Sequence, residues 1–296
     1  MIKSGFVSLI GRPNVGKSTL LNSLINQKIA ITSNKPQTTR NIIQGIYNDE
    51  GYQIVFVDTP GIHKPINKLG KILNKEAQSQ TKDVDLILLI VDAFEGIGTG
   101  DKKIISDLKG TNSPVILILN KIDKMSNSDI FECINTYKDL YNFAEIIPVS
   151  ALKKNNLEEL INTIKKYMTD NIRYFDEDMI TSSSINFMVS EFVREKLLRM
   201  TEQEIPHSIT CVTSKYEEKK DIINITVDVI VDRDSIKKIV IGKDGNLLKT
   251  VGIEARKDIE NLLGKQVYLE LYVKTIKNWR DKEKYFQELG FNELDI

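Results

Sequence analysis

The 296-residue chain is poor in the residues that build metal clusters and covalent frameworks: it holds two cysteines, two histidines and a single tryptophan. Cys133 and Cys211 stand far apart and in no CxxC-like spacing, so neither a disulfide framework nor a zinc site is available, and both read as small core residues in a reducing compartment. Charge of one sign is also missing, with 41 Lys+Arg against 41 Asp+Glu. That balance excludes a uniformly basic nucleic-acid binder, a polybasic membrane protein and an acidic disordered tail. The most apolar runs, Leu86 to Val91 and Val115 to Leu119, are far shorter than the roughly 20 residues of a membrane span. The opening MIKSGFVSLIG lacks the long apolar core of a signal peptide, so a cytoplasmic protein is expected, with any membrane contact peripheral. Internal repeats and low-complexity tracts are absent.

What is present divides in two. Through about residue 170, continuous apolar runs (FVSLI, QIVFVD, DLILLIVD, VILILN, EIIPVS) alternate with helical patterns. Strands of that kind separated by helices predict an α/β domain with a mostly parallel sheet and helices on both faces. The polar stretch DNIRYFDEDMITSSS breaks the pattern and reads as a linker, residues 171–184. Beyond it come a helix (Phe187 to Met200), two alternating strands (Ile209 to Lys215, Ile222 to Asp232), two helices around a turn, and a strand (Val267 to Lys274). That order predicts an α+β domain over 185–296 with a small antiparallel or mixed sheet.

Residues Gly11, Arg12, Pro13, Asn14, Val15, Gly16, Lys17 and Ser18 spell G-x-x-x-x-G-K-[ST], followed by Thr19, between a strand and a helix. Glycines let backbone N–H groups turn inward around phosphate oxygens, and the helix N-terminus adds partial positive charge. Lys17 then reaches the β and γ phosphates, and the Ser18 hydroxyl is a Mg²⁺ ligand. Asp58-Thr59-Pro60-Gly61 closes the strand QIVFVD; Asp58 can hold Mg²⁺ through water, and the Gly61 N–H can approach a γ-phosphate. Asn120-Lys121-Ile122-Asp123 follows the buried strand VILIL. There Asp123 can accept from the N1–H and exocyclic amine of guanine, a donor pair that adenine does not present, which selects GTP over ATP. Ser150, Ala151 and Leu152 follow the strand EIIPVS and would turn backbone N–H groups to the guanine O6.

These motifs, with Thr38-Thr39-Arg40 between the first two, resemble the translation-factor-related P-loop GTPases over residues 5 to about 168. The resemblance implies that Thr39 reaches Mg²⁺ and the γ-phosphate as a switch residue and that Lys121 packs along the base. Lys17, Thr39 and Gly61 are then the catalytic positions. Where Ras-like enzymes carry a water-orienting Gln, this chain has Ile62, which cannot hydrogen-bond water. Another group, an ion or a partner must position that water; His63 beside it reads as an exposed loop residue. Slow intrinsic GTP hydrolysis, accelerated when a partner orders the switch loops, is expected.

In the second half Ile241-Gly242-Lys243-Asp244-Gly245 places a Lys-tipped Gly-x-x-Gly turn between two helical patterns. It is similar to a KH domain of type II, whose glycine turn lets the nucleic-acid backbone come close. Lys249 and Arg256 on the following helix extend the candidate RNA surface. From residue 176 onward 19 basic residues face 23 acidic ones, yet Arg233 to Lys257 holds seven basic against three acidic. The basic character is local. Trp279 reads as a packing anchor rather than a base-stacking residue.

A single GTPase domain with TTR, DTPGIHK, NKID and SALK, followed by VIGKDG, VGIEARKDIE and LELYVK, resembles the bacterial Era GTPases over nearly the whole chain. That resemblance implies a monomeric factor in 30S subunit assembly that binds 16S-type rRNA near its 3′ end and uses Mg²⁺ with GTP and GDP. It also implies peripheral contact with the inner membrane. The competing reading is a membrane-linked or cell-cycle signalling GTPase whose KH-like domain binds protein.

Overall fold

The computed structural model describes residues 2–35, 38–59, 84–202, 205 and 208–281. The chain forms two compact units, the first built from Met1–Ala30 with the described parts of Ile42–Lys64 and Lys71–Ser182, the second from Ile31–Asn41 and Ser183 onward.

In the first unit β1 (Lys3–Ile10), β2 (Ile43–Asp49), β3 (Tyr52–Asp58), β4 (Leu86–Asp92), β5 (Val115–Asn120) and β6 (Glu145–Pro148) make one sheet in the order β2-β3-β1-β4-β5-β6. Every neighbouring pair is parallel except β2 with β3. The sequence pattern did not announce β2, because IQGIYND mixes polar and apolar residues as an edge strand does. The remaining strands carry apolar runs with polar residues mostly at their ends, and β4 and β5 are buried at every position. Both faces are therefore covered, as continuous apolar strands require. Helices α2 (Thr99–Asp107) and α3 (Asn127–Lys138) share a core with Ile87, Leu89, Val91, Val115, Leu117 and Leu119. Helix α1 (Lys17–Ile25) packs on β2 and β3 and against α4 (Leu157–Lys165).

The expected linker is not a loose connector. Asp170 exchanges backbone hydrogen bonds with Ser4, and Ile46 N donates to the Ile180 carbonyl at 2.9 Å. Gln53, fully buried, accepts from Tyr174 N at 2.7 Å and Phe175 N at 3.0 Å, and donates to the Phe175 carbonyl at 2.9 Å. A buried amide needs such partners, and residues 170–182 supply them.

The second unit joins α5 (Ile185–Met200) to a three-stranded mixed sheet, β7 (Ile209–Glu218), β8 (Ile222–Val231) and β9 (Gln266–Thr275), with β7 antiparallel and β9 parallel to the central β8. Alternate residues of β8, from Ile223 to Val231, face a core that also holds Val189, Phe192, Val251 and Ile259. Helices α6 (Asp234–Ile241) and α7 (Asn246–Leu263) complete the layer. Trp279 is buried, its Nε1 donating to the Ser208 carbonyl at 3.1 Å, so it anchors packing as its sequence context suggests.

Ile31–Asn41 packs with the second unit. Thr32 N donates to Glu195 Oε1 at 2.8 Å, Arg194 Nη2 to the Thr38 carbonyl at 2.5 Å, and Arg40 Nη1 to the Ile209 carbonyl at 2.8 Å. The guanidinium of Arg40 also lies over the Trp279 ring, 5.7 Å from its centre. The cause lies on α5, where Glu191, Arg194 and Glu195 are buried charges that need polar partners. Burial, with the Arg194 charge nearby, pushes the Arg40 guanidinium down to about 9, still protonated at neutral pH.

Among the described residues no helix is long and apolar enough to cross a membrane.

Candidate functional site: a phosphate loop and a base pocket on one sheet edge

Four of the expected motifs follow the C-terminal ends of β1, β3, β5 and β6, on one edge of the first sheet. Two glycines of the phosphate loop are sterically required. At Gly11 (φ +153°) a Cβ would lie 2.3 Å from the Ile90 carbonyl oxygen, and at Gly16 (φ +103°) 2.3 Å from Asn120 Nδ2. Asn14 also takes a left-handed conformation, φ 65°. The loop therefore turns back on itself and opens its N–H groups toward the start of α1, where an anion is favoured.

Lys17 is buried, its Nζ resting on the carbonyls of Gly11 and Arg12 at 3.3 Å each. Burial pushes its pKa down, and the negative charge of Asp58 works the other way. Ser18 Oγ donates to Asp58 Oδ2 at 2.6 Å. Asp58 is fully buried, and burial pushes its carboxyl up despite Lys17 and Ser18. Its other oxygen, Oδ1, has no hydrogen-bond partner among the described residues. A buried carboxylate with one bare oxygen beside a hydroxyl fits a hydrated divalent cation, which needs few direct protein ligands. Thr59 turns inward, donating to the Leu9 carbonyl at 2.9 Å.

Of the three expected metal ligands, Ser18 and Asp58 are brought together. Thr39 is buried in the segment Ile31–Asn41 that packs as part of the second unit. Pro60, Gly61, Ile62 and His63 lie outside the described residues.

The residues expected to take the base are braced by Asn120, whose Nδ2 donates to the Val15 carbonyl at 2.8 Å while Oδ1 accepts from Ala151 N at 3.0 Å. One buried amide thus ties the phosphate loop to the β6 loop. Lys121, at φ 70°, crosses the loop, its Nζ donating to the Asn14 carbonyl at 2.8 Å and to Asp92 Oδ2 at 2.5 Å. Asp123 is exposed, and the Ser150 hydroxyl donates to its Oδ1 at 2.5 Å, fixing the carboxylate that the sequence offers as the base reader. Ser150 and Ala151 are buried and Leu152 is exposed. Asp92 was not among the sequence candidates, although a carboxylate closing an apolar strand, as Asp58 does, was the available signal.

In the second unit Gly242 has φ +78°, and a Cβ there would lie 2.8 Å from Leu247 Cβ. Gly245 N donates to the Gly242 carbonyl at 3.3 Å, closing a tight turn between α6 and α7. Lys243, Asp244, Lys249 and Arg256 are exposed, Ile241 half-buried. Ile239 and Ile253 expose large apolar surfaces on the two helices that flank the turn.

A family described as "50S ribosome-binding GTPase" matches residues 6–121, and one described as "KH domain" matches residues 204–280. GTPase Era of Clostridium kluyveri is 47% identical over 292 residues, covering 98% of this chain and 100% of that protein. GTPase Era of Clostridioides difficile strain 630 is 48% identical over 296 residues, covering 99% and 100%. Two crystal structures superpose with TM-score 0.94 at 39% identity, covering 98% of this chain and 99% of theirs. One is Era in complex with MgGDPNP and nucleotides 1506–1542 of 16S ribosomal RNA; the other is a variant of Aquifex aeolicus Era bound to GDP·AlF4⁻. With a P-loop GTPase fold, a KH domain and near-half identity to such relatives from end to end, the chain belongs to the GTPase Era family and is a GTP-hydrolysing enzyme.

Proposed function

We propose that this GTPase is a nucleotide-controlled switch that binds single-stranded 16S-type rRNA near its 3′ end and acts in 30S subunit assembly. The observation that carries the nucleotide half is the junction of Ser18 with Asp58 and of Asn120 with both Val15 and Ala151. Residues 1–170 are assigned the nucleotide, 185–296 the RNA, and 171–184 the connection between them. Gly11 to Thr19 hold the phosphates, Asp58 to Ile62 sense the γ-phosphate, and Asn120 to Asp123 with Ser150 to Leu152 take the guanine. Ser18, Asp58 and Thr39 would hold Mg²⁺, which when bound neutralises charge building on the β and γ phosphates. Lys17 already donates to backbone carbonyls in the loop; a phosphate would offer it a stronger acceptor. Gly61 would add a backbone donor. With Ile62 in place of glutamine, intrinsic hydrolysis is slow until a partner orders the water.

On the RNA side, Ile241 to Gly245 would let the backbone approach, with Lys249 and Arg256 adding phosphate contacts. The similarity to the Era structure with the 16S rRNA fragment supports this reading. We place the protein in the cytoplasm as a monomer, with peripheral contact at the inner-membrane face.

RNA crosslinking of the full chain in its GTP-analogue and GDP forms tests the proposal. Crosslinks to the 3′ end of small-subunit rRNA that depend on the nucleotide support it. Crosslinks to protein alone would favour the signalling alternative.

A further inference from the structure

Asp101 on α2 has no part in the chemistry described above, yet it is a fully buried carboxylate. Its Oδ1 accepts from Arg12 Nε at 2.8 Å and its Oδ2 from Gly98 N at 2.8 Å. Capping a helix does not need a buried charge, since Ser, Thr or Asn would serve. A buried carboxylate persists where a cation matches it.

Arg12 is that cation, and it belongs to the phosphate loop. Its backbone carbonyl receives Lys17 Nζ at 3.3 Å, while its side chain leaves the loop and lies along the turn after β4. The turn and the first residues of α2 leave room for it: a Cβ on Gly98 would lie 3.3 Å from Arg12 Cζ, and one on Gly100 would lie 2.6 Å from Arg12 Cδ. Glu95 adds a weaker ion pair at 3.8 Å, at the exposed end of the guanidinium.

We infer that Arg12 and Asp101 form a clasp that holds the phosphate loop from outside, making Arg12 a positioning residue that sets how fast guanine nucleotide leaves. The inference rests on the assignment of the nucleotide to the Gly11–Ser18 loop. The loop grips phosphate through backbone N–H groups, so a change of a fraction of an ångström at Arg12 is felt as a rate.

The test is the dissociation rate of a fluorescent GDP analogue from the full chain with Mg²⁺. Asp101→Asn keeps an acceptor for Gly98 N and leaves the partly exposed Arg12 its weaker Glu95 pair, and Gly100→Ala pushes on Arg12 Cδ, next to Nε, without altering the charge of either partner. Each is expected to speed release on the order of 10-fold. Adding Arg12→Lys to Asp101→Asn should speed release no further, because the clasp is already open. Thermal melts of the nucleotide-free proteins verify folding. Release within twofold of the parent in a folded Asp101→Asn, or multiplicative effects of the two substitutions, would overturn the clasp. Lys17→Ala tests the nucleotide assignment separately: if the parent retains GDP and Lys17→Ala does not, a normal rate in Asp101→Asn counts against the clasp alone.

Discussion

Asn120 donates its side-chain amide to the carbonyl of Val15, 105 residues earlier, at 2.8 Å, inside a fully buried contact. Because the same amide's oxygen accepts from Ala151 N, the phosphate loop and the proposed base pocket are one construction. Asn120→Ala leaves a buried carbonyl and a buried N–H unsatisfied, each costing about 1–3 kcal/mol. GTP and GDP affinities should fall together by about 10–100-fold, with guanine still preferred over adenine in competition titrations. A loss confined to one nucleotide would contradict the brace.

The proposed specificity group is Asp123, whose carboxylate the Ser150 hydroxyl holds. Asp123→Asn offers an amide donor where guanine needs a second acceptor, so GTP affinity should drop by ~10⁴-fold while xanthosine triphosphate, with a carbonyl in place of the amine, gains. Equal losses for both nucleotides would remove Asp123 from the base.

Asp58 makes a prediction in pH. Burial raises its carboxyl, so the folded form binds that proton more tightly than the unfolded chain does. The nucleotide-free protein therefore loses stability as pH rises from the ordinary carboxylate value, about 4, through the raised one. Asp58→Asn removes this loss. Without nucleotide its melting temperature at pH 7 should equal or exceed the parent's, while Mg²⁺-dependent GTP retention falls about 10–100-fold. A lower melt together with normal retention would reverse the assignment.

The α5 network predicts a stability effect. Arg194 is paired with Glu191 through two bonds of 2.6 Å and is almost fully buried. Glu191→Ala should cost about 3–5 kcal/mol in denaturant melts, because a buried guanidinium loses its partner. Replacing both, as Glu191→Leu with Arg194→Met, should cost less.

Much of this was legible in the sequence for a physical reason. The apolar runs of β4 and β5, the glycines at 11 and 16 and the strand-end Asp58 and Asn120 are local signals, each set by what the backbone or the buried face demands. The edge strand β2 was not legible, since its pattern is mixed. Nor were the partners of buried polar groups, such as Gln53 with Tyr174, Arg12 with Asp101, or Arg194 with the Thr38 carbonyl. A polar residue shows that it can pair; only the fold shows with what. The charge balance of the whole chain was the least informative quantity, because the candidate RNA surface is a Lys-tipped turn on an acidic half.

That turn bears the central claim. The most direct measurement is equilibrium binding of an oligonucleotide copying the 3′ end of small-subunit rRNA to the full chain, loaded with a GTP analogue or GDP, for the parent and for Gly242→Asp. Gly242 holds φ +78° with no room for a Cβ, so Asp there should abolish the nucleotide-dependent binding while leaving GTP affinity as it was. RNA binding by Gly242→Asp equal to the parent's, in a protein that still binds GTP, would contradict the account.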